Sequence, residues 1–495
     1  MVLARDPRTG QQLEPEVPDT TADEVERTVA AARAAGERWR PLSPPERAEV
    51  LEAVAAAIEA AADELWALAD RETALGEARL RGEIARTAGQ FRLFAAVLRD
   101  GGYVDAVIDH ADPDATPPRP DVRRMNEPLP GVVAVFAAGN FPFAFSVAGG
   151  DTASALAAGC PVVVKAHPGH PLTSIRTAQI VRSALPEAEL LGLIHGVPAG
   201  AHLVQHPDVE ACGFTGSVAG GRAIAQLIAE RDRPIPFFGE QGSVNPVVVL
   251  PSAVVGGAQE VAAGFAGSLT LGVGQFCTNP GLLFVPADPA LLDAIKDQVE
   301  QTVGGPMLAE RIRDGYLGGL ERLSQLRPLA RGQSGSGEFA VRAEVVTTDL
   351  ATFGAGLPDL AEECFGPAAI VVTYRDTADL PDVLGRLPGS LTATVHATDP
   401  AEATAVIEAL RRRAGRLIWN GWPTGVAVCW AMHHGGPWPA STNAAHTSVG
   451  AMAIHRWLTP TAYQAWPADL LPPALRDENP LGIARRIDGV LTTPM

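Results

Sequence analysis

Apolar residues in the first hundred positions recur at helical spacing. Val25 and Val29 follow "TADE", in which Thr21 and Glu24 form a capping box. Leu51, Val54 and Ile58 follow "SPPE", where Ser43 caps, Pro44 occupies the first turn and Glu46 completes a second box. "ELWALAD" continues the period, so this region is expected to be mostly amphipathic helix. Between 111 and 130 the period stops, and "ADPDATPPRPDVRRMNEPLP", rich in proline and charge, reads as a linker or protruding arm. Short β-branched runs follow at "GVVAVFA" (131–137), "PVVVK" (161–165), "LGLIH" (191–195), "ACGF" (211–214) and "NPVVVL" (245–250). The alanine-rich or periodic stretches between them are long enough for crossover helices, which predicts a mainly parallel sheet with helices on both faces. Ligands of such sheets bind beyond the carboxyl ends of the strands. From about 250 to 455 strand-like runs such as "AAIVVTY" and "GRLIWNG" again mix with helical ones, so a second α/β domain is expected.

Composition narrows the function classes. A chain of 495 residues exceeds what one core serves, and 46% apolar with 19% charged residues is the balance of a globular protein. A net charge of −18, from 57 acidic against 39 basic residues, argues against a broad polyanion surface, and no nucleic-acid partner is expected. The five cysteines, at 160, 212, 277, 364 and 429, are odd in number and lack a CxxC pair, which points to a reducing cytoplasm rather than a disulfide framework or zinc knuckle. The N-terminus has no apolar core of signal-peptide length, and no run reaches the roughly 18 apolar residues of a membrane span. A soluble, cytoplasmic protein with no membrane partner is expected.

Several residues could carry chemistry. "FTGSVAGGRAI" leads from a strand into a helix, and Gly216, Ser217 and Gly221 would let a dinucleotide pyrophosphate approach the helix N-terminus, although the pattern is not GxGxxG and equally suits an ordinary turn. Lys165, ending "PVVVK", would face the ligand crevice or snorkel at the surface. His167 and His170 lack a third ligand nearby, and no metal site is expected. Glu240 follows two phenylalanines in "FFGEQGSVNP"; apolar rings would raise its pKa and make it a general base, whereas an ordinary turn glutamate is solvated. Asn140 in "AAGNFPFAF" offers an amide to an oxyanion, or bonds its own backbone. Cys160 and Cys212 abut strands and read as buried filler. Cys277 differs: "GVGQFCTNPG" surrounds it with polar donors and flexible glycines, which could expose an activated thiolate and admit a substrate closely. The histidine pair of "AMHHGGPWPAST" lacks metal-ligand spacing and reads as a turn.

Taken in order, Asn140, Lys165, the Gly216–Gly221 turn, Glu240, Cys277 and "EECFGP" resemble the aldehyde dehydrogenase superfamily over nearly the whole chain. The resemblance implies two doubly wound α/β domains plus a small oligomerisation arm. Residues 1–110 and 131–245 would form the dinucleotide-binding domain, 246–446 the catalytic domain, and 111–130 the arm. Residues 447–495 would return to the coenzyme domain and the subunit interface of a homodimer or homotetramer. It also implies that Cys277 attacks the aldehyde, that Asn140 and the Cys277 backbone N–H hold the oxyanion, and that Glu240 activates water to hydrolyse the thioester. Glu363, with Phe365 beside it, would hold the nicotinamide ribose, and Lys165, His167, Gly216, Ser217 and Gly221 the rest of the coenzyme.

Three departures sharpen the picture. Where many NAD-dependent relatives carry a carboxylate three residues after the lysine, this chain has Pro168, so a 2′-phosphate meets no repulsion. NADP is favoured, with NAD still compatible, and Lys165, His167 and Arg222 are the phosphate partners on offer. The variants "AAGNFP" and "MHHGGPWPAST" resemble the subgroup of 2-oxoglutarate semialdehyde (2,5-dioxopentanoate) dehydrogenases and NADP-dependent fatty aldehyde dehydrogenases. The leading expectation is oxidation of 2,5-dioxopentanoate, with a medium or long aliphatic aldehyde as the alternative substrate and a silent binding protein as the alternative class. A dicarboxylic semialdehyde needs a cation at the distal end of the pocket, and no spacing chooses among Arg81, Arg92 and others.

Overall fold

The computed structural model describes residues 1–493, so positions 494 and 495 of the expected C-terminal segment lie outside the described residues. Both capping boxes form: Thr21 heads the helix Ala22–Trp39 and Ser43 heads Pro44–Ala60, each box being worth about 1 kcal/mol. Helices Ala62–Thr73 and Glu77–Asp100 complete the N-terminal layer.

The first sheet has five parallel strands in the order Leu191–Ile194, Val162–Lys165, Val132–Phe136, Val209–Thr215, Phe237–Glu240. Its two faces feed different cores. Val133, Val135, Val162 and Val164 join the helical layer around Trp39 and Phe91, while Val132, Ala134 and Val163 join a second cluster with Ile224 and Ile228. A strand buried on both faces must be apolar without alternation, which is why these runs read as continuous valine and alanine.

One assignment changes. "NPVVVL" does not extend this sheet: Val247–Val249 lies inside the second, and the fifth strand here is Phe237–Glu240, which sequence alone places in a turn. Two phenylalanines followed by glycine and glutamate show no period that marks a strand; pairing with Val209–Thr215 makes it one.

The second sheet has seven strands in the order Arg327–Arg331, Glu344–Asp349, Ala368–Tyr374, Leu282–Pro286, Val247–Val249, Ser390–His396, Ala414–Trp419. All neighbours are parallel except the antiparallel edge Arg327–Arg331. Val248, Phe284 and Val372 point into one core and Val247, Val249 and Val285 into the other, so this sheet too is covered on both faces.

A third sheet gathers distant segments: Leu458–Gln464, Val122–Pro128, Val107–Asp109, Arg485–Ile487 and Val490–Thr492. The proline-rich linker therefore contains a seven-residue strand, paired antiparallel with Leu458–Gln464 along its whole length. Its arginines hid it from the apolar pattern; Arg123 is buried between Asp121 and Asp477. Before reaching this sheet the chain passes through Ala451–Trp457, whose Trp457 enters the first core and donates from Nε1 to Ser154 Oγ at 2.8 Å. Among the described residues, no helix is long and apolar enough to cross a membrane.

Candidate active site

The carboxyl edge of the first sheet carries the sequence candidates together. Lys165 is the last residue of its strand and Glu240 of its own, Gly216 and Ser217 follow Thr215 directly, and Asn140 lies just beyond Phe136. Parallel pairing brings these four ends to one side, as the crevice rule requires.

The glycine-rich turn is tied down at both ends. Ser217 caps Val218–Ala229 by accepting from the Gly220 N–H at 3.1 Å, and the Gly216 N–H donates to the Glu240 carbonyl at 3.0 Å. A Cβ on Gly221 would fall 2.0 Å from Gln241 Nε2, so only glycine permits this approach. The amide nitrogen and oxygen of Gln241 are buried without a hydrogen-bond partner among the described residues. An orphaned amide beside the N-terminus of a capped helix fits an anionic dinucleotide, which brings both charge and hydrogen-bonding groups.

Lys165 sits where burial, with Arg311 nearby, pulls its pKa down to about 8 against a weaker pull from Asp19. His167 stands two residues further along the chain. Burial first, then His170, Lys165 and Arg311, hold its pKa well below the ordinary imidazole value, so it is neutral at pH 7. Its Nδ1 accepts from the Gly169 N–H at 3.1 Å, and it serves as a hydrogen-bonding group rather than a cation. Arg222 is exposed, with its guanidinium 5.5 Å from the Trp438 ring centroid. Glu363 is pushed up to about 7 by burial, opposed by a bond from the Ser243 backbone. It lines a cavity with Ser243, Phe276, Asn279 and Phe365, and a Cβ on Gly242 would come within 2.6 Å of its carboxylate.

The cysteine loop is held by side-chain amides. Asn245, at φ +44°, donates to the carbonyls of Cys277 and Asn279, both at 2.9 Å, while its Oδ1 accepts from Ser243 Oγ at 2.7 Å. Asn279 donates to Leu269 and Gly274 carbonyls. The Asn140 amide reaches this loop too, donating from Nδ2 to the Gln275 carbonyl at 3.0 Å, two residues before Cys277. The loop glycines have a different use from the one expected. A Cβ on Gly274 would overlap the Gly366–Pro367 backbone at 2.3 Å, so its bareness seats the loop on "EECFGP" rather than clearing room for a substrate.

Around Cys277 lie groups that sequence did not single out. His434, read from sequence as part of a turn, is buried, with Nε2 3.6 Å from Cys277 Sγ and 3.1 Å from Glu240 Oε1. The other carboxylate oxygen of Glu240 accepts from Ser448 Oγ, and the His434 N–H donates to Thr447 Oγ1 at 2.8 Å. His434 Nδ1 is buried with no partner among the described residues. A proton on Nδ1 would be a buried unsatisfied donor, whereas an Nε2–H points at the carboxylate and the sulfur. The departure from the common glycine loop was the one sequence signal for His434; Ser448 and Asn245 had none.

Two electrostatic expectations reverse. Burial raises the Glu240 carboxyl, but His434, Ser448 and Cys277 together outweigh it and hold the pKa below the ordinary value. The phenylalanines do not set it, since Phe238 packs on His446 and Trp457 and Phe237 on Phe214. Cys277 is not a low-pKa thiolate: burial, then the Glu240 charge and hydrogen bond, push it well above the ordinary thiol value. It is a thiol that needs a base at the moment of attack. Alkylation of Cys277 in the coenzyme-free protein should therefore climb about tenfold per pH unit from 7 to 9, read by peptide mass spectrometry. A plateau already reached at pH 7 would contradict this thiol state. The sulfur, His434 Nε2 and a Glu240 oxygen lie within 4.8 Å of one another and are of the kinds zinc accepts, a grouping drawn from three distant segments that no local spacing could reveal.

An aromatic wall closes one side. Phe276 stands edge-on to Phe141 at 5.4 Å, Phe141 to Phe145 at 5.1 Å, and Phe145 lies 6.3 Å from the His434 ring. Arg79 rests on Phe141 and Phe276 at 4.4 and 4.5 Å.

Comparison with known proteins agrees with this geometry. Residues 2–459 match the model of the aldehyde dehydrogenase family. Alpha-ketoglutaric semialdehyde dehydrogenase 2 of Azospirillum brasilense is 45% identical over 98% of this chain and 95% of its own. Alpha-ketoglutaric semialdehyde dehydrogenase of Acinetobacter baylyi is 42% identical over 95% of this chain and 92% of its own. Among solved structures, 1-pyrroline-5-carboxylate dehydrogenase from Thermus with bound NAD superposes with a TM-score of 0.80 at 21% identity, over 93% of this chain and 89% of its own. A thiol, a carboxylate and a helix-capped glycine turn gathered on one sheet edge, with a family match spanning more than nine-tenths of the length, place this chain in the aldehyde dehydrogenase family.

Proposed function

We propose that this enzyme oxidises 2,5-dioxopentanoate to 2-oxoglutarate, with NADP as the favoured coenzyme. The observation that carries the substrate is the pair of relatives at 45% and 42% identity, both named for alpha-ketoglutaric semialdehyde and both matched nearly end to end. The family uses NAD(P). Pro168 offers no carboxylate against a 2′-phosphate, and the Lys165 and Arg311 cations near it support the phosphorylated form. Gly216, Ser217 and Gly221 would receive the pyrophosphate, Glu363 the nicotinamide ribose, and Phe365 the wall beside it.

In the proposed reaction, the Cys277 sulfur adds to the aldehyde carbon as its proton is released to solvent. His434 keeps an N–H on the developing thiolate. The Asn140 amide and the Cys277 backbone N–H receive the oxyanion of the thiohemiacetal. NAD(P)⁺, when bound, accepts the hydride that turns this adduct into a thioester. Glu240 then takes a proton from water, which adds to the thioester carbon, and the carboxylate product leaves as Cys277 regains its proton. The aromatic wall favours the second reading, an aliphatic aldehyde, because it offers apolar contact to an alkyl chain.

We also read the third sheet as the self-association element of a homodimer or homotetramer. Its outer strand Val490–Thr492 is an open edge with Val490 and Leu491 exposed, which is the usual template for pairing with another copy. Five free cysteines fit the cytoplasm. The substrate reading is tested by kcat/KM for 2,5-dioxopentanoate against hexanal and longer aldehydes, each with NADP⁺ and NAD⁺. We expect 2,5-dioxopentanoate with NADP⁺ to lead; a preference for the apolar series would transfer the assignment to the aliphatic reading.

A further inference from the structure

A carboxylate carried into this pocket needs a cation that is not already engaged. Arg81 pairs with Asp63 and Glu77, and Arg92 with Glu59 and Glu52, all on the solvent side of the helical layer. Arg79 lies against two aromatic rings and 3.5 Å from Glu83. Arg81 and Arg92 are thus taken up by carboxylates, and Arg79 is drawn to Glu83 and to the Asn140 carbonyl, which its Nη2 meets at 3.4 Å.

Arg86 differs. It extends from Glu77–Asp100, and its Nη1 donates to the Val426 carbonyl, while Nε and Nη2 are buried with no hydrogen-bond partner among the described residues. It makes no salt bridge among the described residues. Glu83, one turn earlier, uses one oxygen to accept from the Phe143 and Ala144 N–H groups and directs the other toward Arg79. The Arg86 guanidinium is 5.5 Å from the Phe145 ring centroid, and Phe145 is the aromatic neighbour of His434 in the wall that faces Cys277. Burial disfavours its charge, and the carboxylates of Glu83 and Glu240 act in its favour.

A second arginine shares the arrangement. Arg416, from the strand Ala414–Trp419, donates from Nη2 to the carbonyls of Pro423 and Gly425 at 2.9 and 2.8 Å, and its Nε is buried without a partner among the described residues. The loop Pro423–Val426 thus holds both arginines by its carbonyls. Its Gly425 N–H donates to Thr278 Oγ1 at 3.1 Å, the residue after Cys277.

Nε and Nη2 form one edge of a guanidinium, the parallel pair of donors that grips a carboxylate in two hydrogen bonds. A buried cation with that edge vacant is unfavourable unless a ligand completes it. We propose that the free Nε–Nη2 edge of Arg86, seconded by Arg416, binds the carboxylate at the far end of the substrate, so that the site selects aldehydes ending in a carboxylate. The inference deepens the substrate reading above and rests on it. Carbonyl oxygens at Val426, Pro423 and Gly425 orient the two guanidiniums without neutralising them, which leaves their positive charge to the ligand.

The test compares Arg86→Met and Arg86→Lys with the unmodified enzyme, using 5-oxopentanoate and pentanal, which differ by a terminal carboxylate in place of a methyl group. The ratio of their kcat/KM values should fall about 100-fold in Arg86→Met and about tenfold in Arg86→Lys, which keeps charge but loses the fork. Binding of glutarate to the coenzyme-free protein, followed by calorimetry, should weaken in parallel, with Arg416→Met giving a smaller loss. An unchanged ratio in Arg86→Met, with its thermal unfolding transition intact, would overturn the inference and leave Arg86 as a brace for the loop. If Arg86→Met does not fold, an unchanged ratio and unchanged glutarate binding in both Arg86→Lys and Arg416→Met would overturn it instead. Failure of the underlying substrate reading looks different, because the unmodified enzyme would then show no preference for 5-oxopentanoate over pentanal.

Discussion

Replacing Cys277 with alanine should lower aldehyde-dependent NAD(P)H formation by at least about 10⁴-fold, the scale of losing a covalent nucleophile. The loss should be this large because, among the described residues, Cys277 is the sulfur grouped with Glu240 and His434: Cys160 and Cys212 are buried in the cores around the first sheet, Cys364 packs against the Tyr316 carbonyl, and Cys429 is exposed. Glu240 and His434 would remain, but a base without a nucleophile leaves the aldehyde unanchored, and the positional advantage of the covalent adduct disappears. Steady-state assays with both coenzymes read the effect directly. Turnover in Cys277→Ala within tenfold of the unmodified enzyme would remove Cys277 from the role.

The second large effect is Glu240→Gln. The two side chains match in volume, so the core contacts around the end of Phe237–Glu240 should survive while the base is lost. We expect one equivalent of NAD(P)H in a fast burst, followed by steady-state release slowed by about 10²- to 10⁴-fold, the usual contribution of a general base. Stopped-flow absorbance at 340 nm would separate the phases. Absence of both burst and steady state would instead assign Glu240 to activation of the thiol. The pH profile carries the same sign. Glu240 is held below the ordinary carboxylate range, so hydrolysis that depends on its ionised form should persist through the mildly acidic range and fail only as pH drops below the depressed pKa.

What was readable along the chain and what was not divides by distance in sequence. The capping boxes at Thr21 and Ser43 are three-residue patterns and appeared as written. The valine runs at 132, 162 and 247 were visible as strands because burial on both faces leaves no polar alternation. Which sheet a strand joins was not visible, since the partners of Val247–Val249 are Leu282–Pro286, beyond the helices Pro251–Val254 and Ala258–Thr270, and Ser390–His396, more than a hundred residues on. The strand Val122–Pro128 is not legible in the apolar pattern because its arginines are matched from elsewhere, Arg123 by Asp121 next door and Asp477 more than three hundred residues away, and Arg124 by Asp105.

The sequence by itself determined the two α/β domains, the order of Asn140, Lys165, Gly216, Glu240 and Cys277, and the family they resemble, because each is written in local pattern or in chain order. Only the tertiary structure decided the charge states and the neighbours. It turned His434 from a turn residue into the partner of both Cys277 and Glu240, held Glu240 ionised by His434 and Ser448 where the rings had pointed to a raised pKa, and kept His167 neutral. It also left Arg86 with an open donor edge while Arg81 and Arg92 were paired off. A pKa depends on burial and on polar groups within a few ångströms, and those groups arrive from segments as far apart as residues 86, 240, 277 and 434.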